Sequence, residues 1–175
     1  MQIDIGVLVD YTDWERQKWH AWLRQHPEAL KISMGANCDT RFQVVGDLVR
    51  HIFSAEKRYV ERLSDQPLTD TAGIPNDNVE TLFQFGQQSR LDLKNVIQRL
   101  PAPDWDAMKG FDFFGGVLKA TPKKIVAHVL THEIRHWGQV ASMCRLNGFK
   151  GEFHDLLFSP VLGGEFRREQ AKTSS

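Results

Sequence analysis

The sequence predicts an all-α fold, a four-helix bundle built as one domain. Two observations carry that expectation: apolar residues return at three- and four-residue spacing over four stretches of roughly 20 residues, and connections holding proline, glycine or asparagine separate them. A third bounds the size, since 175 residues can bury a real hydrophobic core but do not suffice for two ordinary domains. The domain is expected over 1–166, with the polar stretch 167–175 as a flexible tail.

The first helix is expected from Ile5 to His26, where Val7, Leu8, Tyr11, Trp14, Trp19, Trp22 and Leu23 follow a helical rather than an alternating pattern and Pro27 ends it. Leu30 to Asp39, with Gly35 and Asn37, reads as a connection. The second helix is expected from Asp39 or Thr40, either a suitable N-cap, to Leu63, on the stripe Phe42, Val45, Leu48, Val49, Ile52, Phe53, Tyr59 and Val60. A linker at 64–76 carries Pro67, Gly73, Pro75 and Asn76. The third helix is expected from Asn78 to Leu100, closed by Pro101 and Pro103. Between 104 and 120 the pattern is ambiguous, but Phe111, Phe113, Phe114 and Val117 flank a Gly115-Gly116 pair able to turn a short hairpin. Thr121 and Pro122 are a cap and first-turn pair opening the fourth helix, which runs to Asn147 before Gly148. A short helical turn is expected within 152–158.

Composition excludes several classes. Lys plus Arg and Asp plus Glu are equal at 22 each with no basic stripe, so no general attraction to nucleic acid is implied. The longest apolar runs fall well short of a membrane span, and the N-terminus lacks the pattern of a secretion signal. Cys38 and Cys144 have neither metal-motif spacing nor the number for a disulfide framework, which suits a reducing, cytoplasmic setting. The aromatic residues, including Trp14, Trp19, Trp22 and Phe111 to Phe114, read as core and dimer-interface packing.

The chemistry concentrates in the fourth helix. His128, His132 and His136 follow at four-residue steps, each a net drift of about 40° around the axis. The stripe Ile125, Val129, His132, His136, Val140, Met143 points the last two inward, where neighbouring neutral imidazoles cannot easily satisfy one another. A divalent transition metal would do so, and an i, i+4 pair can reach one ion. His51, between Leu48 and Ile52, is the best third ligand, and three histidines leave coordination positions open, as catalytic sites do. His128 faces partly away and reads as hydrogen-bonded or half-exposed.

His132-Glu133-Ile134-Arg135-His136 also matches the zincin motif, in which the glutamate is general base. The longer context fails: the glycine at 138 is one position early, Ser142 replaces the third metzincin histidine, and Glu152 and Glu165 are only loosely placed for a gluzincin. Glu133 remains the candidate catalytic residue, as proton carrier or outer ligand support; a plain surface glutamate paired with a neighbouring base is an equal alternative.

Taken together, Leu8-Val9-Asp10-Tyr11-Thr12-Asp13-Trp14, Asp47-Leu48-Val49-Arg50-His51-Ile52-Phe53-Ser54-Ala55-Glu56 and His128 to Val140 resemble the DinB/YfiT-like family of bacterial four-helix metalloproteins. That resemblance implies an up-down-down-up bundle, a homodimer, and a metal held at His51, His132 and His136. Arg135 and Trp137 depart from the family pattern and are expected to alter the rim of the site. Relatives include enzymes that use small thiols such as bacillithiol or mycothiol, and a metal with open positions suits them because coordination lowers a thiol's pKa. The leading expectation is therefore a thiol-dependent S-transferase with zinc or nickel, a low-molecular-weight thiol and a small-molecule substrate. The alternatives are a metal-dependent hydrolase and a non-catalytic, stress-related metal-binding protein.

Overall fold

Four α-helices and one hairpin make up the computed structural model, which describes residues 4–35, 41–113, 115–151 and 154–164. Helix α1 spans Ile5–Gln25, α2 Val45–Leu63, α3 Val79–Arg99 and α4 Pro122–Leu146, with strands β1 Lys109–Phe113 and β2 Gly116–Ala120 between α3 and α4. Short 3₁₀ turns follow α1 at Pro27–Lys31 and α3 at Ala102–Asp106, and another lies at Leu156–Phe158. Cys38, Asp39, Thr40, Phe114, Glu152, Glu165 and the tail lie outside the described residues.

Three helices start on side-chain caps, with Asp4, Asn78 and Thr121 accepting from Gly6, Thr81 and Lys124 amides, and Thr121 is the cap the sequence predicts. At the far end of α4, Gly148 turns the chain at φ +84°. The expected start of α2 is corrected. It begins five residues after Thr40, because the preceding chain is held extended: Ser33 and Val44 form an antiparallel bridge, and Met34 and Val45 amides bond to Gln43 and Ile32 carbonyls. Asp47 then reaches back, its Oδ2 accepting from the Gln43 and Val44 amides at 3.0 and 3.1 Å. Gly46 allows the 64–78 linker to cross here, since a Cβ would sit 1.8 Å from the Asn76 carbonyl oxygen.

Helix α2 packs most extensively, against α3 and α4, and α1 covers the remaining faces of both. The apolar interior falls into two clusters. One gathers Trp19, Trp22, Leu23, Leu48, Ile52, Phe53, Leu82, Phe83, Trp137 and Val140; the other gathers Val9, Val60, Leu63, Leu93, Phe111, Ile125, Val126, Val129 and Leu130. On every helix a charged residue stands between the two sets: Arg16, Glu56, Arg90 and Glu133, all buried. Arg16 donates to Glu133 Oε1 and Oε2 at 2.5 and 2.8 Å, to Glu56 Oε2 at 3.0 Å and to the Gly86 carbonyl at 2.8 Å. Arg90 donates to Glu56 Oε2 and Glu133 Oε2 at 3.0 and 2.5 Å, and to Thr12 and Asp13. Opposite charges met in pairs are what makes such burial tolerable.

The hairpin expected at Gly115-Gly116 is present, with Phe113 paired to Gly116 and Gly115 at φ +79°. Phe111 is buried in the second cluster, and Phe113 stacks on Tyr59 of α2 at 5.5 Å. The segment after α4 returns to α1: Tyr11 donates to the His154 carbonyl, and His154 Nδ1 lies 2.7 Å from Glu15 Oε1. Cys144 is a free, buried thiol whose pKa burial pushes up to about 11. Among the described residues no helix is long and apolar enough to cross a membrane.

Candidate metal centre

The packing of α2 on α4 sets His51 opposite two successive turns of α4. His132 Nε2 lies 3.3 Å from His51 Nε2 and 3.0 Å from His136 Nε2, and one ligand nitrogen from each ring lies within 4.8 Å of the others. Nitrogens bound about 2.0–2.1 Å from a tetrahedral zinc would stand about 3.3–3.4 Å apart, so the spacing fits one transition-metal ion.

The donor set fits as well. In the tautomer that leaves Nε2 free to ligate, His136 Nδ1–H donates to Gln139 Oε1 at 2.5 Å, the kind of outer bond that fixes a ligand ring. Phe42 packs its ring against His51 and His136, at 4.9 and 6.4 Å between centroids. Burial, followed by repulsion from His136 and His51, pushes His132 down to about 3. Burial also lowers His136, with the Gln139 bond acting in the other direction. These two rings are therefore uncharged at neutral pH, as metal ligands must be.

The three expected histidines thus come together, and they can hold a metal ion. The helical stripe that pointed to them needs correction. The buried face of α4 runs Ile125, Val126, Val129, Leu130, Glu133, Trp137, Val140, Ala141 and Cys144, so its centre passes through Glu133 and Trp137. His136 is buried at the edge of that face, and His132 and His51 are half-buried beside it. His128 is exposed, with its ring against Tyr59 and His132.

Glu133 is not the surface glutamate that one reading of the sequence offered. It is 2% exposed, and its oxygens accept from Arg16, Arg90 and the Trp137 indole, the last at 3.1 Å. Burial alone would raise its pKa, but Arg16 and Arg90 outweigh it and hold the carboxyl below its usual range. A carboxylate so engaged is a poor proton acceptor. Trp137 is likewise corrected from rim to core: it is fully buried, stacked on Trp19 and Phe83.

Beside the histidines lies a cavity of about 680 Å³, whose walls include Phe42, Arg58, Tyr59, Arg62, Phe113 and Arg135. Sequence reasoning passed over the arginines of α2. The signal was there, since Ala55, Arg58 and Arg62 follow His51 by four, seven and eleven residues and so share its helix face. Phe113 carried no such signal, because it arrives through the hairpin.

The molecule is thus a helical bundle whose three-histidine cluster, open to a cavity, could hold a metal ion. The chain belongs to the DinB family, whose model matches residues 1–162. The crystal structure of a DinB-like protein from Bacillus cereus ATCC 10987 has the same fold, with a TM-score of 0.62 and 15% identity over 83% of this chain and 94% of that one. No curated protein matches the sequence.

Proposed function

We propose that this protein is a divalent-metal-dependent enzyme in which His51, His132 and His136 hold zinc or nickel and a small thiol, or water, is activated for attack on a small-molecule substrate. The reading favours a thiol-dependent S-transferase. The observation that carries it is the convergence of three ligand nitrogens beside a cavity of about 680 Å³, a volume suited to a small molecule. A divalent metal with open positions would supply Lewis acidity, lowering the pKa of a thiol or water that reaches it.

The chain's own residues do the rest. Gln139 orients His136, and Phe42 shields the rings of His51 and His136 from solvent. Glu133 anchors α4 to α1 and α3 through Arg16 and Arg90, and so holds both α4 ligands at one height in the bundle. In this role it positions the ligands and moves no proton. The proposal includes a homodimer, to be checked by sedimentation.

Elemental analysis of untagged protein, with His51→Ala and His132→Ala variants, is the first test. About one equivalent of zinc or nickel, lost in both variants while their helical circular dichroism persists, is expected for a metal held jointly by two helices. Metal-free wild-type protein after reconstitution would overturn the reading. Thiol consumption with an electrophile then separates transferase from hydrolase, because hydrolysis proceeds without a thiol.

A further inference from the structure

The walls of the cavity beside the histidines carry an uneven distribution of charge. Arg58 and Arg62 from α2 and Arg135 from α4 line it together with Arg41, whereas no carboxylate lines it among the described residues. For a chain with equal numbers of acidic and basic residues, this is a local excess rather than a general one.

Arg58, Arg62 and Arg135 make no ion pair with a carboxylate among the described residues. Arg62 donates Nε to the Asp112 carbonyl at 3.1 Å and a terminal nitrogen to the Arg58 carbonyl at 3.3 Å, both neutral acceptors, and its guanidinium lies 4.4 Å over the Phe113 ring. That arrangement fixes the group and leaves donors over. Arg58 is half-buried and Arg135 exposed. The nearby Glu61 is turned to Thr69 and Lys57. Burial first, then the charges of Arg62 and Arg41, lower the pKa of Arg58, with Tyr59 and Glu61 acting in the other direction.

Like charges gathered in a concave, partly apolar site raise the local concentration of the opposite charge, and the planar fork of arginine matches carboxylate and phosphate oxygens. The apolar wall is supplied by Phe42, Tyr59, Phe113 and Leu68, which suits a compact organic body. From this geometry we infer that the substrate is a small organic anion, its carboxylate or phosphate group gripped by Arg58, Arg62 and Arg135 and its reacting end directed to the histidines. The inference rests on the reading of this cavity as the substrate site, and it names the chemical class that the site selects.

The test uses metal-free protein, so that anion binding is read apart from metal binding. Isothermal titration at low ionic strength would compare malate, inorganic phosphate and the neutral succinamide, for wild type, Arg58→Gln and Arg135→Gln. Arg135 is exposed, so its variant keeps the fold even where Arg58→Gln does not. Malate or phosphate should bind wild type, succinamide should not, and each variant should weaken the anion by at least about tenfold, the worth of one charge-assisted hydrogen bond. Preference for malate assigns a carboxylate substrate and preference for phosphate a phosphorylated one. Anion binding no better than succinamide, or unchanged in Arg135→Gln, would overturn the inference while leaving the metal content of the protein as a separate result.

Discussion

Replacing Glu133 by glutamine removes one negative charge from the buried layer while keeping its shape. In the native protein that carboxylate faces two guanidiniums, Arg16 and Arg90, both less than a tenth exposed, and a third donor from Trp137. The variant leaves two buried cations sharing Glu56, with Asp13 at the edge. Stranding a buried charge in this way costs about 3–5 kcal/mol. For a chain of this length each kcal/mol moves Tm by about 2–4 °C, so thermal unfolding followed by circular dichroism should fall by about 6–20 °C. The effect should also depend on pH in a defined direction. Because the folded carboxyl is held below its unfolded value, its contribution is present above about pH 4.5 and is lost as pH falls through the folded pKa. Glu133→Gln should therefore show less acid destabilisation than wild type below pH 4.5. Pairing it with Arg16→Met should recover part of the loss, since the two share one network. A Tm within about 2 °C of wild type, a shift that surface substitutions commonly produce, would refute the structural role, and loss of turnover at unchanged Tm would restore Glu133 as proton carrier.

Two further outcomes follow from single residues. Glu15 is buried with Oε2 unpartnered among the described residues, and burial, only partly opposed by His154, pushes it up to about 7. Its folded pKa lies above the unfolded value, so the stability it contributes is full below about pH 4.5 and fades as pH rises through 7. Glu15→Gln should match wild type near pH 4.5 and be more stable by about 3 kcal/mol at pH 8, read from urea unfolding; a pH-independent difference would contradict the assignment. Gly86→Ala and Gly138→Ala should differ in sign. A Cβ on Gly86 would meet the Phe53 ring at 2.7 Å and cost about 1–3 kcal/mol, whereas one on Gly138 meets nothing within 4 Å and should stabilise α4 by up to about 1 kcal/mol. Urea midpoints for the two variants on the same side of wild type would contradict that packing.

The four helices, the Thr121 cap of α4, the hairpin at Gly115 and the pairing of His132 with His136 were all legible in the sequence, because each depends on neighbours a few residues away. Spacing, capping and turn chemistry are local, and residues such as Asn78, Thr121 and Pro122 carry that information in their own side chains. The start of α2 was not legible, since a bridge between Ser33 and Val44 outweighs the helical pattern of Phe42. Glu133 and Trp137 were misplaced for a related reason. A helical wheel ranks residues by polarity, and a carboxylate at the centre of the buried face becomes stable only when Arg16 and Arg90 arrive from α1 and α3. The tertiary structure alone brings Phe113 through the hairpin to the histidines and joins the arginines of α2 to Arg135 of α4 in one cavity, through contacts between residues distant in the chain. Periodicity thus determined which faces exist, while the packing of those faces decided which charges are neutralised in the core and which gather around the cavity.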